Sequence, residues 1–180
     1  LTQGQHLDIA FETENEIEIS AYLRMISGKT AALVALSAFL GGLVAHQGLV
    51  ELALLSDYGT NLGLAFQIQD DYLGIWGDTE KIGKSTAGDI SSRKKTLPIL
   101  YGLKNSPEFR EAWQKQSPLD QNVALMANIL SDCGAQSHTH SQAQYYTKKA
   151  FETLTRLFSQ NNEYANALFE LTEMLLHRNT

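Results

Sequence analysis

Cysteine, proline and positive charge are all scarce in this sequence, and each scarcity narrows the class of protein. The single cysteine, Cys133, cannot form a disulfide within the chain, so a disulfide-stabilised scaffold is excluded and a reducing compartment is favoured. The 14 lysines and arginines against 20 aspartates and glutamates give a net charge of −6. Because nucleic acids bind basic surfaces, we expect no nucleic-acid partner.

Long hydrophobic runs are also missing. The longest apolar stretch, "AALVALSAFLGGLVA" at 31–45, is shorter than the roughly 20 residues that a membrane-spanning helix needs. No signal-peptide pattern opens the sequence. We therefore expect a cytoplasmic protein without a membrane span. The first ten residues contain no methionine and resemble the interior of a helix, so we expect a fragment, a processed half or one part of a larger assembly.

The pattern of apolar residues predicts helices throughout. No stretch shows sustained alternation with the period of two that is typical of strands. Residues 1–10 are expected to end a helix, and a second, central and buried helix is expected over 16–42. A third is expected over 49–76, with Tyr58, Leu62, Ala65 and Phe66 at helical spacing. The sequence therefore predicts an all-α fold.

Glycine and proline divide the rest of the chain. Residues 77–95 contain glycines and few apolar residues, so we expect an exposed loop there. A fourth helix should begin near Thr96, with Pro98 in its first turn, and three or four shorter helices should follow from Pro107. Residues 133–142 are predicted to form a turn with His138 and His140 on the surface.

Two adjacent carboxylates, Asp70 and Asp71, interrupt the apolar run "QIQDDYLGIWGD" at 67–78. Two neighbouring carboxylates cannot both stay ionised in an apolar setting without a cation. No basic residue lies within four positions on either side, which argues against a local ion pair. A hard divalent cation, Mg²⁺ in the first instance, explains the pair, and a solvated helix end is the plain alternative. Asp78, seven residues after Asp71, would return to the same face of a continued helix.

Lysines accompany the carboxylates elsewhere in the chain. Lys29 and Thr30 stand in the middle of the predicted apolar helix, where an unpaired lysine is rare. Lys84 and Asp89 follow in the glycine-containing segment "GKSTAGD". Lysines in such positions suit a diphosphate, because cations and backbone amides both neutralise phosphate charge. Snorkelling of Lys29 to solvent is the alternative.

Five short motifs in fixed order carry a family resemblance. They are "GQHLD" (4–8), "GKTAAL" (28–33), "FQIQDDYLGIWGD" (66–78), "GKSTAGDI" (83–90) and "RKKTLPIL" (93–100). Together they resemble the C-terminal half of the trans-isoprenyl diphosphate synthases, the polyprenyl synthetase family. The motifs cover residues 1–105, and the helical remainder fits by type only. The resemblance implies an isoprenoid synthase-type helical bundle around a central apolar cavity, with residues 1–180 as the C-terminal part of one domain.

The resemblance also implies roles for particular residues. Asp70 and Asp71 correspond to the second aspartate-rich motif, which holds Mg²⁺ against the allylic diphosphate. Lys29, Thr30 and Gln67 correspond to diphosphate contacts and to the cavity lining, as do Gln5 and Asp8, and Lys84 corresponds to the lysine of a closing loop. Lys94 or Lys95 adds positive charge at the cavity mouth, and the motif does not choose between them.

The implied reaction is the condensation of isopentenyl diphosphate with an allylic prenyl diphosphate, giving a longer polyprenyl diphosphate. The implied partners are these two diphosphates, the N-terminal half of the same enzyme or a partner chain, and a second copy in a homodimer. Gly74 stands where the family's second motif usually has its third aspartate, and the first aspartate-rich motif is absent from this sequence. A class I terpene cyclase and a non-catalytic half or regulatory subunit therefore stay open as alternatives.

Overall fold

The computed structural model describes residues 1–77, 88–115, 123–158 and 163–176, and these residues contain helices and no strand. We number the helices in chain order: α1 (Thr2–Thr13), α2 (Ile19–Ile26), the π-helical turn (Ser27–Ala31), α3 (Ala32–Val44), α4 (Leu49–Trp76), α5 (Gly88–Ser91), α6 (Leu97–Asn105), α7 (Pro107–Gln114), α8 (Val123–Asp132), α9 (Ala135–Leu157) and α10 (Glu163–Leu176). The all-α prediction is confirmed. Asp78 and Lys84 lie outside the described residues.

The 28-residue helix α4 is the centre of the bundle. Helix α9 packs along one side of it and α3 along another. Tyr58, Leu62 and Ala65 are buried among residues of α9 and α10, as their spacing predicts. The Tyr58 hydroxyl also lies 2.8 Å from the Thr172 hydroxyl, which ties α10 to α4.

A second part of the core lies where α1, α2 and α6 meet α4. Tyr22 and Ile26 of α2, Ile68 of α4 and Leu97 of α6 are all buried there. Each fully buried aliphatic side chain of this kind stabilises the fold by about 1.5–3 kcal/mol. Pro98 lies in the first turn of α6, as predicted, since a proline needs no partner for a backbone N–H at that position.

The helix predicted over 16–42 begins at Ile19, ends at Val44 and contains the π turn. Our expectation that it is buried was wrong. Its outer face exposes leucines by about half of their surface: Leu33, Leu36, Leu40 and Leu43. An apolar composition all around a helix predicts burial, but in the α3 part only the face against α4 is covered by the described residues.

The turn predicted over 133–142 was also wrong. Only Cys133 and Gly134 form a turn, and Gly134 has a φ of 86°, a left-handed conformation that glycine adopts without strain. Helix α9 then begins at Ala135. His138 is therefore helical and half-buried, and it stacks on Tyr101 with ring centroids 4.5 Å apart. Packing against α4 and α6 overrides the modest helix propensity of the Ser, His and Thr residues.

The segment Ile19–Val44 has the length and hydropathy of a membrane-spanning helix, with a mean hydropathy of 1.5 over its most apolar window. One such helix is weak support for a span. Lys29 sits in its middle and pairs with Asp8, and charged groups at that depth are costly in a bilayer. No strong membrane span is therefore evident in the described part of the chain.

Candidate functional site

A cavity of about 1460 Å³ opens between α1, α2, α4 and the start of α6. Its lining combines the buried apolar side chains of Phe11, Met25 and Ile26 with charged side chains. Six of the residues singled out by sequence line this cavity: Asp8, Lys29, Gln67, Asp71, Lys94 and Lys95. The structure thus brings together side chains that are as many as 87 positions apart in the chain.

The π turn presents two neighbouring polar side chains to two different helices. The Ala32 N–H donates to the Ser27 carbonyl, five residues earlier, so this turn holds one residue more than an α-helical turn. Lys29 forms an ion pair with Asp8 of α1. Thr30 donates a 2.8 Å hydrogen bond to the Gln67 side-chain oxygen of α4. Turns of this type occur frequently at functional sites.

Gly4 and Gly28 allow α1 to approach the π turn closely. A Cβ at position 4 would lie 2.8 Å from the Lys29 Cα, and one at position 28 would lie 3.0 Å from the Gly4 Cα. A side chain at position 4 would not fit on an unmoved backbone, and one at position 28 would be unusually tight. This close approach is what brings Asp8 to Lys29.

Asp71 is a buried carboxylate with most of its hydrogen-bonding capacity already used. It is 1% exposed. Its Oδ2 accepts from the Tyr22 hydroxyl and, at 3.1 Å, from the Leu97 N–H, while Oδ1 accepts from the Gln67 side chain at 3.2 Å. A carboxylate has about four lone-pair positions, so roughly one stays open. Asp70 is half-buried, and the two adjacent carboxylates therefore occupy different surroundings.

Burial dominates the proton affinity of Asp71. Desolvation raises the pKa of this carboxyl from 3.8 to about 6, although the Tyr22 hydroxyl, the charge of Lys94 and the Leu97 N–H each favour the charged form. Burial likewise raises the pKa of Tyr22, and the neighbouring Asp71 adds to that rise. The phenol is therefore the hydrogen-bond donor at neutral pH.

The structure separates the roles of Lys94 and Lys95. Lys95 donates to the carbonyls of Phe11 (2.7 Å), Glu12 (3.1 Å) and Glu14, so it caps the carboxyl end of α1. Desolvation opposes the charge of Lys94, but Asp71, Asp89 and Asp70 outweigh it and raise the pKa of this ammonium. Lys94 is therefore the lysine of this pair that faces the carboxylates.

Tyr22 is the residue that the sequence analysis missed. A tyrosine in an apolar helix is ordinarily interpreted as a core residue. Its partner Asp71 is 49 positions away, so no local pattern indicated the hydrogen bond. Tyr22 lies seven residues before Lys29, which is about two turns along the same helix. This spacing alone indicated that Tyr22 shares a helix face with Lys29.

Two observations bear on whether this site suits a metal ion. The described residues contain no cluster of three or more histidine, cysteine, aspartate or glutamate side chains arranged to hold one. Thr96, which is 1% exposed and lines the cavity, has a buried hydroxyl without a hydrogen-bond partner in the described part of the chain. The hard oxygen donors Asp70 and Asp71 fit Mg²⁺, but they need further oxygen ligands from elsewhere.

This fold is that of the helical prenyl diphosphate synthases. Residues 1–132 match the polyprenyl synthetase family, and the chain belongs to that family. It is 33% identical, over 99% of its length, to the geranylgeranyl diphosphate synthase of Sulfolobus acidocaldarius, of which it covers 55%.

Solved structures agree over nearly the whole chain. A polyprenyl synthase from Caulobacter crescentus, solved with calcium and isoprenyl diphosphate, superposes with a TM-score of 0.85 at 30% identity, covering 99% of this chain and 56% of the other. A geranylgeranyl pyrophosphate synthase from Corynebacterium glutamicum, solved with isoprenyl diphosphate and magnesium, gives 0.86 at 26% identity, with 99% and 52% covered. The chain spans about half the length of these relatives.

Proposed function

We propose that this chain forms the allylic-diphosphate side of a prenyltransferase pocket. The complete protein would condense isopentenyl diphosphate with an allylic prenyl diphosphate and release a longer polyprenyl diphosphate. The observation that carries this proposal is the meeting of Lys29, Gln67 and Asp71 in the lining of one cavity, with Thr30 hydrogen-bonded to Gln67. Family membership and the names of the relatives support it.

Each residue has a defined task in this proposal. The Lys29 ammonium binds the diphosphate, and the Thr30 hydroxyl and Gln67 amide orient it by hydrogen bonds. Lys84, which lies outside the described residues, is proposed as a second cation over the diphosphate. The buried apolar side chains of Phe11, Met25 and Ile26 exclude water from the allylic carbon chain.

We propose Mg²⁺ as the metal, with Asp70 and Asp71 as its protein ligands on this chain. Bound Mg²⁺ would neutralise the charge that develops on the departing diphosphate. Three hydrogen bonds already engage Asp71, so this carboxylate would contribute to the metal through its remaining lone pair. The relatives solved with calcium or magnesium and isoprenyl diphosphate support a divalent cation at such a site.

The test uses the natural protein that contains this chain, with Mg²⁺, isopentenyl diphosphate and an allylic diphosphate. We expect a longer prenyl diphosphate as product. Asp70→Asn should lower turnover by about a hundredfold or more, as the loss of an electrostatic stabiliser does. Asp57→Asn, the same change at an exposed position on α4, serves as the control. Near-normal turnover in Asp70→Asn would refute the assignment, and a cyclic hydrocarbon product would show a terpene cyclase.

A non-catalytic or regulatory half is the second candidate, and the exposed leucine face of α3 favours it. We define this leucine face by Leu33, Leu36, Leu40 and Leu43. We propose that residues 1–180 are the C-terminal part of one domain, and that the N-terminal half, a partner chain or a second copy covers this face in a cytoplasmic assembly.

Intact-mass measurement of the active protein under denaturing conditions decides how many chains take part. A separate second chain that carries the N-terminal half would support a split enzyme.

A further inference from the structure

The three consecutive cations Arg93, Lys94 and Lys95 have three different partners. Lys95 caps the carboxyl end of α1, and Lys94 faces the carboxylates. The Arg93 guanidinium lies against α7 instead: it donates a 2.9 Å hydrogen bond to the Trp113 carbonyl, and its Cζ lies 4.8 Å from the centroid of the Trp113 ring. All three cationic side chains line the cavity. The backbone is therefore fastened on both sides of Lys94.

The turn that ends α5 determines the direction in which Lys94 leaves the backbone. The Lys94 N–H donates to the Asp89 carbonyl at 3.0 Å, and the Arg93 N–H donates to the Ile90 carbonyl at 3.1 Å. These two nested bonds define a Schellman motif, in which Arg93 is the left-handed residue just past the end of the helix. A change in the backbone at Arg93 would therefore redirect the side chain of Lys94.

Arginine is an unfavourable residue for this position. Arg93 has a φ of 54°, and in that region the Cβ of an L-residue is crowded by its own backbone, which is why glycine is usual there. A side chain that stays in this conformation needs contacts that offset the strain. The hydrogen bond and the cation–π contact with Trp113 are of that kind. Trp113 is 5% exposed and packs on Phe109, so it provides a fixed anchor.

A matched position exists at the end of α3. His46 has a φ of 55°, and the same pair of bonds surrounds it: the His46 N–H donates to the Leu43 carbonyl and the Gln47 N–H to the Gly42 carbonyl, both at 3.0 Å. His46 is exposed, and it is not part of the cavity lining. The two positions therefore share one backbone conformation, and only Arg93 borders the cavity.

We propose that Arg93 is a positioning residue for diphosphate binding: held on Trp113, it fixes the turn after α5 so that Lys94 directs its ammonium into the cavity. This inference rests on the proposed function, because the anion that Lys94 would meet in the cavity is the diphosphate. Arg93 stays on Trp113 and acts through Lys94. A glycine at position 93 would relax the backbone and at the same time release the turn.

Two other roles for Arg93 make different predictions. If the contact with Trp113 only supports the fold, Arg93→Gly changes stability and leaves the affinity for the anion unchanged. If Arg93 attracts the anion directly by its charge, Arg93→Gly weakens binding whichever residue stands at position 94. In the positioning role, the loss depends on the presence of Lys94.

The experiment is a double-mutant cycle on the binding of inorganic pyrophosphate with Mg²⁺, measured by calorimetry on the natural protein that contains this chain. The variants are Arg93→Gly, Lys94→Met and the two combined. His46→Gly is the matched control, since it relieves the same backbone strain away from the cavity. Arg93→Asn repeats the test with a side chain that tolerates the left-handed region, should the glycine variant fail to fold.

We expect Arg93→Gly to weaken pyrophosphate binding about fivefold, and to cause no further loss when Lys94→Met is already present. His46→Gly should bind like the parent. Parent-like affinity in Arg93→Gly or in Lys94→Met would overturn the inference, and so would an equal loss from Arg93→Gly in both backgrounds. Each of these results would leave the proposed function standing. A parent protein that does not bind pyrophosphate would overturn the proposed function itself.

Discussion

The Tyr22 hydroxyl and the Asp71 carboxylate, 49 residues apart, share a buried hydrogen bond that joins α2 to α4. The same carboxylate oxygen accepts the Leu97 N–H at the start of α6. Three helices that border the cavity are therefore fixed to one atom. The relative positions of these helices around the cavity therefore depend on the Asp71 carboxylate as well as on the apolar core.

Removing the phenol hydroxyl should destabilise the protein measurably. Tyr22→Phe leaves the ring in place but removes one donor to a buried carboxylate, which should lower the free energy of unfolding by about 1–3 kcal/mol. Urea unfolding followed by circular dichroism measures it. Tyr164→Phe is the control, since Tyr164 is 81% exposed. Equal stability in the two variants would contradict a structural role for the hydrogen bond.

The raised pKa of Asp71 predicts that the free energy of unfolding of the wild type, compared with that of Asp71→Asn, depends on pH in metal-free buffer. The folded carboxyl holds its proton up to a pKa of about 6, whereas the unfolded one loses it near 3.8. The folded state therefore binds more protons in this interval, and its stability falls as the pH rises.

Relative to Asp71→Asn, the wild-type free energy of unfolding should drop by about 3 kcal/mol between roughly pH 4 and pH 7. Urea unfolding at a series of pH values measures the difference. A difference that stays constant with pH, or that grows in the opposite direction, would show that Asp71 is not the titrating group.

Lys29 should contribute directly to diphosphate affinity. Lys29→Met keeps the length of the side chain but removes its charge-assisted hydrogen bonds, and pyrophosphate should bind about tenfold more weakly by calorimetry. Lys148→Met is the matched control, because Lys148 pairs with Glu152 on an exposed surface of α9, away from the residues that line the cavity. Undiminished affinity in Lys29→Met would mean that Asp8 keeps this ammonium away from the ligand.

The leucine face of α3 should control association. Leu40→Gln places an amide in the middle of this face, which is exposed in the isolated chain, and should weaken the contact with whatever covers it. Light scattering after size-exclusion chromatography measures the mass. Leu125→Gln provides the comparison on α8, where the side chain is 56% exposed. An assembly of the same mass in Leu40→Gln would place the contact elsewhere.

Helix α4 shows what the sequence could predict. Its apolar spacing set its limits at 49–76, and Tyr58, Leu62 and Ala65 are buried as that spacing requires. The motifs also indicated Lys29, Thr30, Gln67 and Asp71, which meet around the cavity and its bordering hydrogen bonds. The helix prediction succeeded because the period of apolar residues is a local property of the chain, whereas the roles of these four site residues stay predictions.

The failures concern relations between distant parts of the chain. Because Asp70 and Asp71 are adjacent, the sequence assigned them the same role. The contacts of Asp71 with α2 and α6 bury it, and the sequence near position 71 does not indicate those contacts. The polar composition of residues 133–142 suggested a turn, whereas packing against α4 makes most of it helical. The exposure of Leu36 and Leu40 depends on what covers α3, and no periodicity within α3 carries that information.

Because the turn Ser27–Ala31 contains one extra residue, the effect of deleting a residue from this helix depends on whether the deletion falls inside the turn. Deleting one residue elsewhere in Ile19–Val44 would rotate everything beyond it by about 100° and turn the face that packs on α4 away from that helix. A deletion within the turn would instead convert it to a regular α-helical turn and leave both flanks in register. The fold would survive a deletion within the turn. Lys29 and Thr30 would no longer face Asp8 and Gln67 together.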